Sequence, residues 1–392
     1  MVNIRDKAHQ YLPDTIACRR DIHMYPEVSG YEERTSNVIK SKLQELGIEY
    51  REITGYGIIG EIRGRMEGKT VALRADIDAL PIQEQNEKPY CSKVKGVGHL
   101  CGHDCHTASL LTAAKILHEE RGEIQGTVRL LFQPSEEAGG GAELMISEQA
   151  MKNVDAVFGI HMYNELDVGK VSVQEGPRMA ASLRGYIEIK GIGGHGGSPH
   201  LCVDPIVTAS AIVLNLQTIA SRELNMLDSA TITVGKFHSG TSQFAVAEKA
   251  ELFLTIKFFN ARLVDKIRDS ITRIVEKTAE AYRAQCTVRV DGFLEPVIND
   301  ERLSDIAKKS AENLFGKDNV VSCLPWTASE DFSKYEQYAP GIFAFIGGRN
   351  TNKGCIYKAH HPCFDIDENA LEVASAMYAK FAIDYLNQQK VF

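Results

Sequence analysis

LRGYIEIKG, residues 183–191, reads as a β-strand, and the segments next to it decide the fold of the middle of the chain. Asp204–Arg222 is helical in pattern, SATITVGKF (229–237) and AELFLTIKFF (250–259) are extended, and Arg262–Ala284 is helical again. CTVRV (286–290) closes the run as a strand. The order is βαββαβ, a ferredoxin-like unit complete in about 110 residues.

On either side the pattern changes. Upstream, VALRADI (71–77), GTVRLLFQ (126–133) and VDAVFGI (154–160) are apolar and extended, with helical stretches at Thr107–Glu119 and Ala142–Met151 between them. Residues 32–47 put Val38, Ile39, Leu43 and Leu46 on one helical face, and Gly47 stops the helix. Downstream come a helix over 300–316, GIFAFIGG (341–348) as a strand and a closing helix over Asn369–Leu386. Strands spaced by helices predict an α/β sheet, mostly parallel, with active residues at the strand ends. The simplest organisation is one α/β domain, residues 1–182 and 294–392, interrupted by a compact domain over 183–293.

Composition narrows the function. A chain of 392 residues has room for two or three domains, and 44% hydrophobic with 24% charged residues is globular, not disordered or collagen-like. The balance of 52 acidic against 44 basic residues disfavours a nucleic-acid partner, which calls for a basic patch. No run approaches the roughly 20 apolar residues that span a bilayer, and MVNIRDKAHQYLPD lacks a signal-peptide core, so no membrane association is expected. Nine cysteines, thinly spread, fit reduced thiols better than a disulfide framework. A soluble, cytoplasmic protein is the expectation.

The densest chemistry lies in His99-Leu-Cys101-Gly-His103-Asp104-Cys105-His106, between a polar loop and an amphipathic helix. A thiolate and an imidazole two residues apart can share a divalent ion where the backbone is a loop, with Asp104 able to orient a ligand imidazole. A structural zinc knuckle would show a second Cys/His pair about 12–20 residues on, and this chain has none there. Glu136 and Glu137 come at the end of an apolar strand, so one can bind metal while the other faces water as general base. His161 closes the strand VDAVFGI as a third candidate ligand, and either ring of His360-His361-Pro362 is a fourth. His195 stands in GIGGHGGSPH, where flanking glycines permit turns that aim the ring outward. That stretch lacks the Gly-Lys-Ser/Thr ending of a phosphate loop, and neither Ser135 nor Ser329 lies in a G-x-S-x-G elbow. Trp326, the single tryptophan, reads as a packing residue.

Taken together, these residues resemble the M20 metallopeptidases, in particular the amidohydrolase branch of hippurate hydrolases, N-acyl-amino-acid amidohydrolases and auxin-conjugate hydrolases. The resemblance runs nearly end to end: RRDIHMYPEVSGYEERT (19–35), LRADIDALPIQE (73–84), HLCGHDCHT (99–107), LLFQPSEEAGGGAELMI (130–146) and FGIHMYNELDVGKV (158–171). It continues through GGHGGSPH (193–200), SEDFSKY (329–335) and AHHPCFDIDENAL (359–371). It implies a mixed-sheet, dinuclear metallopeptidase-like catalytic domain with the βαββαβ insertion as lid and dimerisation domain. By motif position, Cys101 would bridge two divalent ions, with His103 and His161 on one and Glu137 and His360 on the other. Glu136 takes the general-base position, and His195 looks like the lid histidine that reaches a partner subunit's site. Zinc, manganese, cobalt and nickel all suit such donors. The lid departs from the family pattern in GTSQFAVAE (240–248) and LFLTIKF (252–258), where Phe244 and Lys257 replace an asparagine and an arginine. Phe244, or Gln243 through a shift of register, would then contact substrate. The expected activity is hydrolysis of an N-acyl amino acid or small peptide-like amide by a homodimer. The alternatives are a di- or carboxypeptidase on the same fold, or a relative that binds metal or a small molecule without turnover.

Overall fold

The computed structural model describes residues 3–388, so the extreme ends of the expected outer domain, residues 1–2 and 389–392, lie outside the described residues. The chain forms two compact units, one of Met1–Gly176, Ile298–Leu324 and Asp331–Phe392, the other of Pro177–Val297 with Pro325–Glu330.

The first unit opens with α1 (Ile4–Met24) and α2 (Glu33–Glu45), then β1 (Glu49–Glu52), β2 (Ile58–Arg63) and β3 (Met66–Asp76). Then come α3 (His103–Glu119), β4 (Gln125–Gln133), α4 (Gly141–Ser147), β5 (Ala156–Asp167) and β6 (Val171–Ser172). The chain passes through β7 (Gly176–Met179) into the second unit, with β8 (Ala181–Lys190), β9 (Gly194–His195), α5 (Pro205–Thr218) and β10 (Ala230–Ser239). That unit continues with β11 (Ala245–Val246), β12 (Lys249–Phe258), α6 (Val264–Ala281) and β13 (Gln285–Leu294). β14 (Val297–Asn299) leads back to α7 (Glu301–Phe315), α8 (Ser333–Glu336), β15 (Gly341–Arg349) and α9 (Ala370–Asn387).

The large sheet has the order β1-β2-β4-β3-β5-β15-β6. Its middle is parallel, as strands spaced by helices require, but the pairs β1/β2, β2/β4 and β15/β6 are antiparallel. The expectation of a mostly parallel sheet therefore fails at both flanks. Only residues 64–65 join β2 to β3 and only 168–170 join β5 to β6, and links that short can reverse the chain but not carry it through a parallel crossover. Val71 through Asp76 of β3 are all buried, as a strand covered on both faces must be. α1, α3 and α9 pack on one another, and Phe158 of β5 stacks on Phe381 of α9 at 4.4 Å. Two elements carry no clear sequence signal, and one expected helix is shortened. α1 has only a broken apolar stripe to announce it, because Thr15, Arg19 and His23 share its buried face with Ile4, Ala8 and Ile22. The β1–β2 pair is too short to stand out as a pattern. The helix expected over 142–151 stops at Ser147.

The second unit holds a four-stranded sheet of order β10-β12-β8-β13, all antiparallel, with α5 and α6 between its strands in sequence. This is the βαββαβ arrangement read from the sequence. Leu183, Ile187 and Ile189 of β8 pack with Leu252, Leu254 and Ile256 of β12 against Ile212 and Leu216 of α5 and Ile267, Ile271 and Val275 of α6. Asp204 caps α5 by accepting from the N–H groups of Ile206 (2.8 Å) and Val207 (3.3 Å), and Pro205 fits the first turn. No helix among the described residues is long and apolar enough to cross a membrane.

Candidate active site

The parallel strands β3, β4 and β5 deliver their carboxyl ends to one edge of the large sheet, the usual place for chemistry in an α/β sheet. Asp76 ends β3, Glu136 and Glu137 come just after β4, and His161 lies on β5. His103 begins α3, where Gly102 adopts a φ of +100° that a side chain would resist. A Cβ on Gly102 would also approach Met162 Cβ to 3.1 Å. Glycine therefore lets Cys101 and His103 turn toward the same space.

There the donor atoms converge. Those of Cys101, His103 and His161 lie within 4.8 Å of one another, as do those of Cys101, Glu137 and His360, and those of His103, Glu136 and Glu137. Cys101, His103 and His161 are buried, Glu136 and Glu137 are half-buried, and His360 is exposed. His161 Nε2 is 3.5 Å from Cys101 Sγ, while its Nδ1–H donates to the Met162 carbonyl at 2.7 Å. His103 Nδ1–H donates to the Asp78 carbonyl at 2.9 Å and lies 3.1 Å from the Asp78 carboxylate, which leaves Nε2 as the ligand-type nitrogen. Of the two adjacent histidines, His360 meets Glu137, with Nε2 3.2 Å from Oε1. His361 instead stacks on Tyr357 at 4.2 Å, and its Nδ1 accepts from the Cys363 N–H. His106 is also near, yet both its nitrogens are engaged, Nδ1–H to Asp76 at 2.6 Å and Nε2 from the Met162 N–H at 2.9 Å. It is a packing and orienting residue. His99 is buried as well, its ring 6.2 Å from that of His23.

The sequence reading passes over the carboxylates that hold this arrangement. Asp78 accepts from the Glu137 N–H at 3.0 Å and from Ser29 Oγ at 2.6 Å while it orients His103. Glu32 accepts from the Ser135 N–H at 2.8 Å. Arg74 joins Asp76 (2.6 Å), Gln133 (2.8 Å) and Asp331 (2.9 Å) beneath the turn. The signal is the spacing of Asp76 and Asp78, two carboxylates on one face at the end of an apolar strand.

The donor set fits divalent ions. His103 Nε2 is buried with no hydrogen-bond partner and stands 3.9 Å from Glu137 Oε1, so the two border a common space without bonding each other. The electrostatics ask for a cation. Burial lowers the His103 pKa, but Asp76, Asp78 and Glu137 outweigh it and raise it to about 10. Burial, then Glu137 and Glu136, push the Cys101 thiol well above its ordinary value. Burial and the nearby His106 keep the His161 pKa well below its ordinary value, leaving a neutral imidazole.

In the second unit, His195 lies on the ribbon formed by β9 and β11, opposite Ala245. Its Nδ1 accepts from the Gly197 N–H at 3.0 Å, which puts the proton of the neutral ring on Nε2. The Phe244 carbonyl accepts from the Gly196 N–H at 2.8 Å, and the Phe244 ring is 73% exposed beside an exposed Gln243. Lys257 donates to Ser329 Oγ at 2.5 Å.

The model of peptidase family M20/M25/M40 matches residues 72–384. The chain belongs to this family. An N-acetyl-L-cysteine deacetylase of Bacillus subtilis is 39% identical over 96% of the chain and 90% of that relative. Thermostable carboxypeptidase 1 of Saccharolobus solfataricus is also 39% identical, over 95% of each protein. Among solved structures of the M20 family, the Bacillus subtilis YXEP protein, described as a dinuclear metal binding peptidase, superposes with a TM-score of 0.85 at 35% identity. That match covers 96% of this chain and 99% of the other.

Proposed function

We propose that this M20 family chain is a metal-dependent amidohydrolase that cleaves the amide bond of an N-acyl amino acid or a related small amide. The observation that carries the reading is the convergence of five metal-type donors in overlapping groups, with Glu136 within 4.8 Å of His103 and Glu137. Two divalent ions bound there would supply Lewis acidity toward the amide carbonyl and make an attacking water more acidic. Cys101 would be shared between them, with His103 and His161 on one side and Glu137 and His360 on the other. Glu136 accepts the proton of the water and returns it to the departing amine nitrogen, so the products are a carboxylic acid and an amine. His195 donates from Nε2 to the carbonyl oxygen in the site of a second copy, where charge develops in the transition state. Phe244, or Gln243 in its place, contacts the substrate beside His195. The protein acts as a homodimer through the second unit, where β10 is an edge strand and Ile206, Val207 and Leu214 of α5 are exposed. All nine cysteines are free, which supports a reducing, cytoplasmic setting.

A carboxypeptidase activity is the second reading, favoured by the Saccharolobus relative. Metal-loaded protein assayed on a panel of N-acyl amino acids and a panel of dipeptides separates the two. Turnover of the N-acyl panel, with kcat/KM at least tenfold above the dipeptides, is expected. The reverse order decides for a peptidase. No turnover of either would leave only a binding protein, against the placement of Glu136.

A further inference from the structure

Residues far from the donor atoms in sequence tie two of the ligand-bearing segments together. Arg19, on the buried face of α1, is 1% exposed. Its Nε donates to Asp104 Oδ2 at 2.7 Å and its Nη2 to Asp365 Oδ1 at 2.7 Å, with Nη1 3.3 Å from Glu368. Asp104 is the residue after His103, and Asp365 lies five residues beyond His360. One planar guanidinium therefore spans the turn that carries Cys101 and His103 and the loop that carries His360. The Tyr90 ring packs against the guanidinium at 4.9 Å while its hydroxyl donates to Asp365 Oδ2 at 2.8 Å. His23, one helical turn on from Arg19, bonds the same Asp104 oxygen at 2.7 Å and reaches Glu84 at 3.2 Å.

Burying this much charge is costly, and an ion pair of this kind is weak evidence of a stabilising role, since well-packed apolar residues often serve stability as well. What the guanidinium adds is geometry, a rigid fork that fixes the separation of two carboxylates. The His360 loop needs such fixing. His360 has a φ of +70°, unusual for a residue with a side chain, and its N–H donates to the Leu100 carbonyl at 2.7 Å.

We propose that Arg19 is a positioning residue for the metal centre, holding the Cys101–His103 turn and the His360 loop at the separation that two ions require. This role rests on the metal reading of the site.

The full-length protein, freed of metal and titrated with cobalt(II), tests both. Equilibrium dialysis counts the ions, the thiolate-to-cobalt absorption follows Cys101, and circular dichroism of the metal-free form checks folding. Wild type is expected to take up two ions and show the thiolate band. Arg19→Lys keeps the charge but cannot span both carboxylates, and its cobalt affinity should fall about 10–100-fold. Asp365→Asn removes the charge that ties the His360 loop to Arg19 and leaves Asp104 in place, so one ion should weaken by a similar factor while the thiolate band persists. Folded Arg19→Lys and Asp365→Asn proteins that bind cobalt within about twofold of wild type would overturn the proposal and leave Arg19 a structural ion pair. Should Arg19→Lys not fold, the Asp365→Asn titration decides on the same criterion. Wild type that takes up no cobalt overturns the metal reading and the proposal together, which is distinct from a wild type that binds beside unaffected variants.

Discussion

At the residue scale, the different roles proposed for the adjacent carboxylates Glu136 and Glu137 rest on the turn between strand and helix that carries them. Glu137 is anchored through its N–H by Asp78 and faces His103 and His360, whereas Glu136 has a carboxylate oxygen within 4.8 Å of both His103 and Glu137. Glu136→Gln preserves shape but cannot take a proton, so kcat should fall about 100-fold or more with metal content near wild type. Glu137→Gln should lose metal. Metal analysis beside steady-state kinetics reads both, and the opposite pattern would exchange the two roles. A second prediction concerns protons. With His103 raised to about 10 and the Cys101 thiol raised well above its ordinary value, both are protonated at about pH 8 in the metal-free protein. Binding must displace both protons, so apparent affinity should fall as pH falls. Calorimetry in buffers of different ionisation enthalpy should show about two protons released per chain. Release near zero would mean that these two groups are not ligands.

At the scale of elements, the turn between β4 and α4 is the critical one, because it presents both glutamates. Its glycines are not equivalent. A Cβ on Gly141 would sit 1.8 Å from the Pro134 carbonyl oxygen, whereas Gly139 and Gly140 have open space and only a positive φ to satisfy. Gly139→Ala should cost about 1–2 kcal/mol of backbone strain and leave the site assembled. Gly141→Ala must move the turn itself, and it should lower both the thermal midpoint and the metal content. Equal, small effects in the two variants would show that the turn is more pliant than its contacts imply. α1 teaches a different lesson. An apolar stripe announces a helix, but this one turns Thr15, Arg19 and His23 inward beside Ile4, Ala8 and Ile22, so half of the buried periodicity lies in polar residues and a search for apolar ones finds it broken.

At the scale of the whole molecule, the proposed use of His195 needs two copies. Glu136→Gln and His195→Ala proteins should each be inactive alone. Subunit exchange between them should restore up to about a quarter to a half of wild-type activity, since one site of each heterodimer would combine the intact Glu136 of one chain with the intact His195 of the other. Mass spectrometry must first establish that heterodimers form. Proven heterodimers without recovered activity would place His195 in its own chain's site or outside catalysis.

The sequence by itself determined what local pattern controls. The alternation of strands and helices set the parallel middle of the large sheet and the βαββαβ unit, because side-chain periodicity is a property of neighbours along the chain. The clusters at 101–106, 136–137 and 360–361 were also legible as candidate donors through residue type and spacing, and the structure brings Cys101, His103, Glu136, Glu137 and His360 together in overlapping groups. Only the tertiary structure decided which nitrogen of each histidine is available, since that depends on partners distant in sequence. Asp78 takes the Nδ1–H of His103, while Asp76 and Met162 together occupy His106. It also sets His360 apart from His361, the first beside Glu137 on a backbone of positive φ and the second stacked on Tyr357, a difference that the motif cannot specify. The Arg19 link between Asp104 and Asp365 is of the same kind, for burial of a charge becomes sensible only once the carboxylates that neutralise it are brought together in space.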